Sequence, residues 1–390
     1  MDAILTAQEE RFRDRLREFV EAEILPQSAK LDESVEVPWH ILRRLAEESV
    51  IGIVVPREYG GVNATLQTLL VCIAREQLSR GSVNVDALFA MQGIGSYPII
   101  VAGSEEVKRR VLPPIARGEQ LAAYAVTEEC SGSDIASLET TASRKGTGYV
   151  INGRKTFVSN AGVASTYVVL VKTDAEKGTK GLTAFVVDGD NPGLNIGPLT
   201  DLIAPHIVGT VEFNNCYVSD THRLGEEGDG FRIAMETLDT YRASVGAAAV
   251  GVAQSGLEET LNYAKRCRRF GHMLVDFQAT RFKIADMATQ ISAARLLVYQ
   301  AAKLKDVSEV RATKEVSMAK LFATEMAGRI VDEALQIHGG MGLVKGQRIE
   351  RLYRQVRPMR IYEGTSEIQR LIISRAVLAE GCMSHRHINE

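Results

Sequence analysis

The spacing of apolar and polar positions changes period twice along this 390-residue chain. From residue 5 to about 120, apolar side chains recur three to four apart, as in Phe12, Leu16, Phe19 and Val20 and again in Ile41, Leu42, Leu45 and Ala46. That period lays them along one face of helices, with Pro56 and Gly60-Gly61 marking loops. From about Ala122 to Val218 the pattern shortens into β-rich runs: Tyr149 to Ile151, Lys155 to Ser159, Tyr167 to Lys172, Thr183 to Val187 and Val211 to Phe213. Asn152-Gly153 reads as the two-residue turn of a hairpin between the first two runs. After Gly230 the helical period returns in Ala-rich stretches over roughly 231–265, 275–305 and 311–337, and a last helix is expected from Glu367 to about Leu378.

Such lengths suit a four-helix bundle. The predicted fold is therefore α+β and multidomain: an α-helical domain over 1–120, a sheet domain over 121–225, a helical bundle over 226–380 and a short polar tail over 381–390. With 45% hydrophobic residues the chain can bury more than one core. A net charge of −3 and a pI near 6.2 exert no global pull on nucleic acid or an anionic membrane, so neither is expected as a partner. The cysteines, Cys72, Cys130, Cys216, Cys267 and Cys382, are odd in number and lack CxxC spacing, which speaks against a disulfide framework or a thiolate metal cage; no metal is expected. No uninterrupted apolar run approaches the length needed to span a bilayer and no targeting pattern opens the chain, so the expected setting is cytoplasmic.

Candidate chemistry concentrates in Arg360-Ile361-Tyr362-Glu363-Gly364-Thr365-Ser366-Glu367-Ile368-Gln369-Arg370. Ser366 and Gln369 read as a capping box, placing a helix start just after Glu363. Free N–H groups and the positive dipole end of a helix favour a developing oxyanion there, beside a carboxylate able to act as base. A second segment, Tyr124-Ala125-Val126-Thr127-Glu128-Glu129-Cys130-Ser131-Gly132-Ser133-Asp134, is followed by Asn152-Gly153-Arg154-Lys155-Thr156-Phe157-Val158-Ser159-Asn160. The Gly/Ser loop offers backbone N–H groups suited to phosphate oxygens. There is no GxGxxG after a strand and no Walker A loop, so a Rossmann-type nicotinamide enzyme is not indicated.

Together these segments resemble the acyl-CoA dehydrogenase family, and the likeness runs from Pro56-Arg57-Glu58-Tyr59-Gly60-Gly61 through Leu224-Gly225-Glu226-Glu227-Gly228-Asp229-Gly230-Phe231 to Gln336-Ile337-His338-Gly339-Gly340-Met341-Gly342. The resemblance implies an N-terminal α-helical domain, a middle β-barrel and a C-terminal four-helix bundle, assembled as a homotetramer, a dimer of dimers. It implies FAD as cofactor, with Tyr124, Val126 and Thr127 along the flavin ring, Gly132 and Ser133 near the pyrophosphate, Phe157 packed on the flavin and Ser159 near N5. Phe270, Gln278, Gln336 and Gly340 match positions that a neighbouring subunit contributes, and Thr365 and Glu367 complete the implied cofactor set. Glu363 matches the base that removes an α-proton while a β-hydride goes to the flavin, with its own backbone N–H polarising the thioester carbonyl. Some relatives carry the base on a bundle helix, at the position of Tyr241 in Leu238-Asp239-Thr240-Tyr241-Arg242, which leaves Glu363 as the matching carboxylate. Arg242 matches a position near the pantetheine side of the substrate, and Tyr362 and Gly364 border the acyl entrance.

The implied activity is dehydrogenation of an acyl thioester, carried on CoA or on a carrier protein, with an electron-transfer flavoprotein as acceptor. An oxygen-using flavin enzyme on the same fold and a non-catalytic scaffold stand as alternatives. Two departures from the family pattern bear on FAD: Cys267 stands where an Arg is usual, and Ala204 and His206 stand where an Arg and a Ser are usual. A neutral thiol does not replace a guanidinium on a pyrophosphate.

Overall fold

The computed structural model describes residues 4–307 and 312–384. Through the first third the chain is helical: α1 (Ala7–Phe19), α2 (Ser28–Asp32), α3 (Trp39–Glu47), α4 (Thr68–Gly81), α5 (Val83–Ala102) and α6 (Glu105–Ala116). Thr6 and Glu9 close a reciprocal capping box at the start of α1, satisfying two of the N–H groups that a helix start leaves free. Then come β1 (Ala122–Ala125), β2 (Thr141–Lys145), β3 (Gly148–Ser159), β4 (Thr166–Lys172), β5 (Leu182–Asp188), β6 (Leu194–Leu199), β7 (Val208–Ser219) and β8 (Arg223–Leu224). The chain ends in α7 (Gly230–Ala264), a two-residue hairpin pair β9 (Arg268–Arg269) and β10 (His272–Met273), then α8 (Gln278–Val307), α9 (Thr313–His338), α10 (Arg348–Val356) and α11 (Ser366–Ser384).

These elements fall into two compact units. The helical unit comprises Met1–Asp32, Thr68–Asp86 and Arg242–Glu390, and the other comprises Glu33–Gln67 and Ala87–Tyr241. In the helical unit α7, α8 and α9 bury a seam of small and branched residues, among them Ala247, Val250, Ile291, Val298, Ala319 and Ala323. Small residues let backbones approach closely. A Cβ on Gly251 would lie 2.1 Å from the Glu76 carbonyl oxygen, so α7 and α4 touch main chain to main chain.

In the second unit, among the described residues, eight strands form one sheet ordered β6-β7-β3-β2-β4-β5-β8, with β1 also paired to β4. β4 and β5 are buried nearly throughout, with runs such as Val168-Val169-Leu170 and Phe185-Val186-Val187, as strands covered on both faces should be.

Three expectations need correction. Asn152-Gly153 is not a hairpin turn: β3 runs unbroken from Gly148 to Ser159 along β7, with a register shift between Ile151 and Gly153. Gly153 sits at φ 146°, and a Cβ there would meet Thr140 at 2.5 Å, so the glycine serves a bulge rather than a reversal. The last helix continues to Ser384, so the expected tail begins as helix and only 385–390 lie outside the described residues. Among the described residues one helix, α5, is long and apolar enough by length and composition to cross a membrane; 67% of its apolar window is buried within the protein, as in a core helix, and it carries Asp86 in a buried ion pair.

Candidate active site

The Glu363 segment is built by a turn that leaves no slack. After α10 the chain makes a single helical turn over Pro358–Arg360, and the Ile361 and Tyr362 N–H groups both donate to the Pro358 carbonyl at 2.8 and 3.1 Å. Glu363 then adopts φ 54° and Gly364 φ 91°, two left-handed residues in a row. Glycine accepts that region freely, whereas for Glu it is uncommon and costs energy that the surroundings must supply. They supply it through the Gly364 carbonyl, which accepts from Lys320 Nζ at 2.7 Å and from Gln369 Nε2 at 2.9 Å. Both donors are fully buried, and burial draws the Lys320 ammonium down to about 8 against the opposing pull of Glu363.

The helix start differs from the expected capping box. Thr365 caps α11, its Oγ1 accepting the Ile368 N–H at 3.3 Å, while Ser366 Oγ instead donates to Glu325 at 2.6 Å. Gln369 turns back to the Gly364 carbonyl rather than to a cap residue.

Glu363 is 14% exposed, and its two oxygens differ. Oε1 lies 3.9 Å from Arg75 Nη1, whereas Oε2 is buried with no hydrogen-bond partner. Arg75, on α4, is itself buried and donates through Nε and Nη2 to Asp86 at 2.9 and 3.0 Å, and through Nη1 to Ser244 Oγ at 3.0 Å. Burial raises the Glu363 pKa; Arg75 and Lys320 pull it back, Asp86 pushes it up again and Arg242 lowers it, with a net rise. A carboxylate with one free oxygen and a raised pKa is equipped to take a proton near neutral pH. Arg242, buried on α7, belongs to the same cationic surroundings. Tyr362 keeps part of its ring exposed while burial holds its phenol above the usual range. A side chain on Gly364 would strike Gln369 Nε2 at 2.6 Å, so the glycine is required by its φ and by the latch beside it.

The sheet unit carries the next group. Tyr124 is the third residue of β1, with its hydroxyl pushed up by burial and opposed by Thr237. Val126 and Thr127 follow, half-buried, and are fixed by neighbours: the Val126 carbonyl accepts from Lys155 Nζ at 3.1 Å and the Thr127 carbonyl from the Thr156 N–H at 2.8 Å. Gly132 and Ser133 lie exposed in the loop beyond, where a Cβ on Gly132 would meet nothing closer than 4.0 Å. Between Lys155 and Val158 β3 bulges against β7, and Phe157 sits on that bulge at φ 52°, 58% exposed. Ser159 ends the strand, half-buried.

The remaining candidates lie on the surface of the helical unit. Phe270, at φ 49°, is 93% exposed in the turn between β9 and β10. Gln278 opens α8, Gln336 lies in the last turn of α9, and Gly340 follows it; all three are exposed, as is Glu367 in the first turn of α11. Cys267 donates its N–H to the Tyr263 carbonyl, while Arg266 and Arg268 spend one donor each on nearby carbonyls of Asn262 and Gly271. In the sheet unit Ala204 is buried, and burial lowers the pKa of His206. Among the described residues six non-glycines have positive φ, and three of them are the candidates Phe157, Phe270 and Glu363. Backbone strain of this kind gathers where function demands it.

Sequence patterns missed Arg75, Asp86, Ser244 and Lys320. For Arg75, Asp86 and Lys320 the signal was present only as a charge inside a helix, as in Ile73-Ala74-Arg75, and a lone charge there reads first as a solvated face; the neutral Ser244 gave none.

Comparison with known proteins establishes the family. The N-terminal, middle and C-terminal domains of acyl-CoA dehydrogenase match residues 6–119, 123–216 and 228–378. The chain belongs to the acyl-CoA dehydrogenase family and is an oxidoreductase of acyl-CoA redox chemistry. It is 41% identical over 378 residues to the 3-(aryl)acrylate reductase of Clostridium sporogenes, covering 96% of this chain and 99% of the relative. It is 38% identical over 382 residues to the caffeyl-CoA reductase-Etf complex subunit CarC of Acetobacterium woodii, covering 95% and 98%. A crystal structure of acyl-CoA dehydrogenase complexed with FAD from Bacillus anthracis superposes with a TM-score of 0.90 at 31% identity, over 99% of this chain and 69% of that one.

Proposed function

We propose that the protein transfers hydrogen between an acyl thioester and FAD, with Glu363 exchanging the α-proton. The observation that carries the reading is the buried Glu363 Oε2, a carboxylate oxygen with no partner of its own beside a guanidinium that holds the other oxygen at a distance. Such an arrangement is wasteful for stability and useful only to an incoming proton. Bound FAD supplies the acceptor for a hydride leaving the β-carbon, and the Bacillus anthracis relative, solved in complex with FAD, supports that cofactor.

The residues present fit the cofactor. The exposed Phe157, held on a bulge in a costly backbone region, presents an aromatic face, and the open Gly132-Ser133 loop leaves its backbone accessible to phosphate. Tyr124, Val126, Thr127 and Ser159 complete that set within the sheet unit, and within the helical unit Thr365 and Glu367, at the start of α11, are proposed for cofactor binding. Phe270, Gln278, Gln336 and Gly340 are proposed as contributions to the FAD site of a second copy. Exposed apolar residues on the same unit support assembly, including Phe282 at 59%, Val307 at 80% and Leu378 at 70% exposed. A homotetramer located in the cytoplasm is the proposed form.

The steps assigned to this chain are few. Arg242 and Tyr362 orient the thioester, and the Glu363 N–H donates to its carbonyl oxygen as negative charge grows there, an effect worth roughly 3 kcal/mol for one well-placed donor. Glu363 Oε2 takes the α-proton. The two electrons that leave the substrate pass on to an electron-transfer flavoprotein, a partner suggested by the Etf complex named for the Acetobacterium relative. Because two relatives are named reductases, the same site run in reverse is a second reading, in which protonated Glu363 delivers the α-proton to an unsaturated thioester. A raised pKa serves both directions. CoA and carrier-protein esters are separated by mass analysis after incubation with each.

The test is Glu363→Gln. The purified variant is expected to keep its flavin absorbance and to lose bleaching by acyl thioesters under anaerobic titration, with turnover down roughly 10²–10⁴-fold. Near-normal turnover would remove Glu363 from this role.

A further inference from the structure

We propose that Asp86 is a positioning residue for the base: it holds Arg75 in a fixed fork so that the guanidinium steers Glu363 Oε1 without claiming the proton-accepting oxygen. The inference rests on the reading of Glu363 as the group that exchanges the α-proton.

Without Asp86, Arg75 would turn to Glu363. A buried guanidinium beside a buried carboxylate forms a bidentate pair wherever the geometry allows, because two parallel charge-assisted bonds are the strongest arrangement open to both. Glu363 locked in this way would have neither a free oxygen nor much basicity, since an opposite charge at that range lowers a carboxylate pKa by about 1–3 units. Here the bidentate partner is Asp86 instead. Its two oxygens take Nε and Nη2 of Arg75 at 2.9 and 3.0 Å, and both side chains are 2% exposed. Ser244 Oγ accepts from Nη1 at 3.0 Å, which fixes the plane of the fork. The nearest approach to Glu363 is through Nη1, which stays 3.9 Å from Oε1, beyond hydrogen-bond range.

Asp86 thus acts twice. It aims Arg75, and its negative charge offsets part of the guanidinium's pull on Glu363. The other charges that bear on Glu363 are Lys320 from α9 and Arg242 from α7, both cationic, with the phenol of Tyr362 next to it in the chain. Set against these three cations, Asp86 is the anion that acts together with burial to raise Glu363. The placement follows from the sequence locally: Arg75 and Asp86 are eleven residues apart, across the break at Ser82 between α4 and α5, and that corner lets two helices in succession point a cation and an anion at each other.

The experiment is the pH dependence of kcat/KM in Asp86→Asn, with flavin absorbance as the check on folding. Glu363 must be unprotonated in the dehydrogenation direction, so activity falls on the acid side as pH drops through its pKa. Removing the Asp86 charge lowers that pKa, and the acid limb is expected to move down by about one pH unit, with kcat roughly tenfold lower at neutral pH because the base is weaker. An unmoved acid limb with unchanged kcat in a folded, yellow variant overturns the proposal. Should Asp86→Asn fail to fold, the neutral pair Arg75→Gln/Asp86→Asn serves: charge cancels charge, so the limb is expected near its wild-type position, while kcat falls and KM changes little. Wild-type kcat in the double variant equally overturns the proposal. Failure of the underlying reading looks different, since it appears as turnover surviving Glu363→Gln.

Discussion

Two buried glutamates in this protein sit next to buried lysines and end in opposite states. Glu128, in the sheet unit, is saturated: Oε1 accepts from Lys155 Nζ at 2.7 Å and from the Thr140 N–H at 3.0 Å, and Oε2 accepts from the Glu139 N–H at 2.5 Å. Burial raises its pKa, but Lys155 and the two N–H donors outweigh that, and the carboxyl stays below its ordinary range. Glu363, in the helical unit, is about as buried, yet Lys320 gives its hydrogen bond to the Gly364 carbonyl rather than to the carboxylate, Oε2 has no partner, and the pKa rises. Burial alone therefore does not raise a carboxyl's pKa. The decisive factor is whether the donors are spent on the carboxylate or on the backbone that carries it.

The sharpest way to break this contrast is to remove each charge in turn. Glu363→Gln is expected to cost most of the activity and little or no stability. The sign follows from its pKa: a carboxyl with a raised folded value disfavours folding above that value, and the penalty disappears at pH below the unfolded value. The variant's melting temperature at pH 7 should equal or exceed that of wild type. Glu128→Gln should do the reverse, costing about 3–5 kcal/mol of stability by leaving the buried Lys155 ammonium without its counter-charge, as read by thermal denaturation. Equal losses of stability in the two variants would erase the distinction.

Next in size is Lys320→Met, which deprives the Gly364 carbonyl of one of its two donors. Loosening a base by a fraction of an ångström is expected to lower kcat about tenfold or more with FAD retained; steady-state kinetics with absorbance-monitored FAD content decides it. A smaller effect is the acid limb of the wild-type pH profile, which should lie above the usual carboxylate range because burial raises Glu363. A limb in the ordinary range would mean that Glu363 is as well solvated as a surface carboxylate. Smallest is Cys267→Arg, expected to slow FAD loss on dilution by a few fold; unchanged retention would show that another residue already serves the pyrophosphate.

Much of the architecture was legible because long helices declare themselves: α7, α8 and α9 begin and end within three residues of where their periodicity places them. The failures are local signals overridden by distant partners. Asn152-Gly153 carries a strong turn signature, yet β7 lies some sixty residues further on and draws the whole strand straight, leaving the glycine as a bulge against Thr140. Ser366 has the right spacing to cap, but Glu325, forty-one residues earlier, takes its hydroxyl and Thr365 caps instead. At the site Glu363, the proposed base, could be read from its motif, whereas Arg75, Asp86 and Lys320 could not, since α4, α5 and α9 meet Glu363 only through the fold.

The left-handed backbone at Phe157, Phe270 and Glu363 carries a cost of about 1–3 kcal/mol at each position. Selection of variants of this chain for heat resistance alone would be drawn to those three codons, since Gly rests there without penalty and Asn with little. The survivors would be hardier proteins and idle ones, and their order of appearance would rank how dearly each position is held.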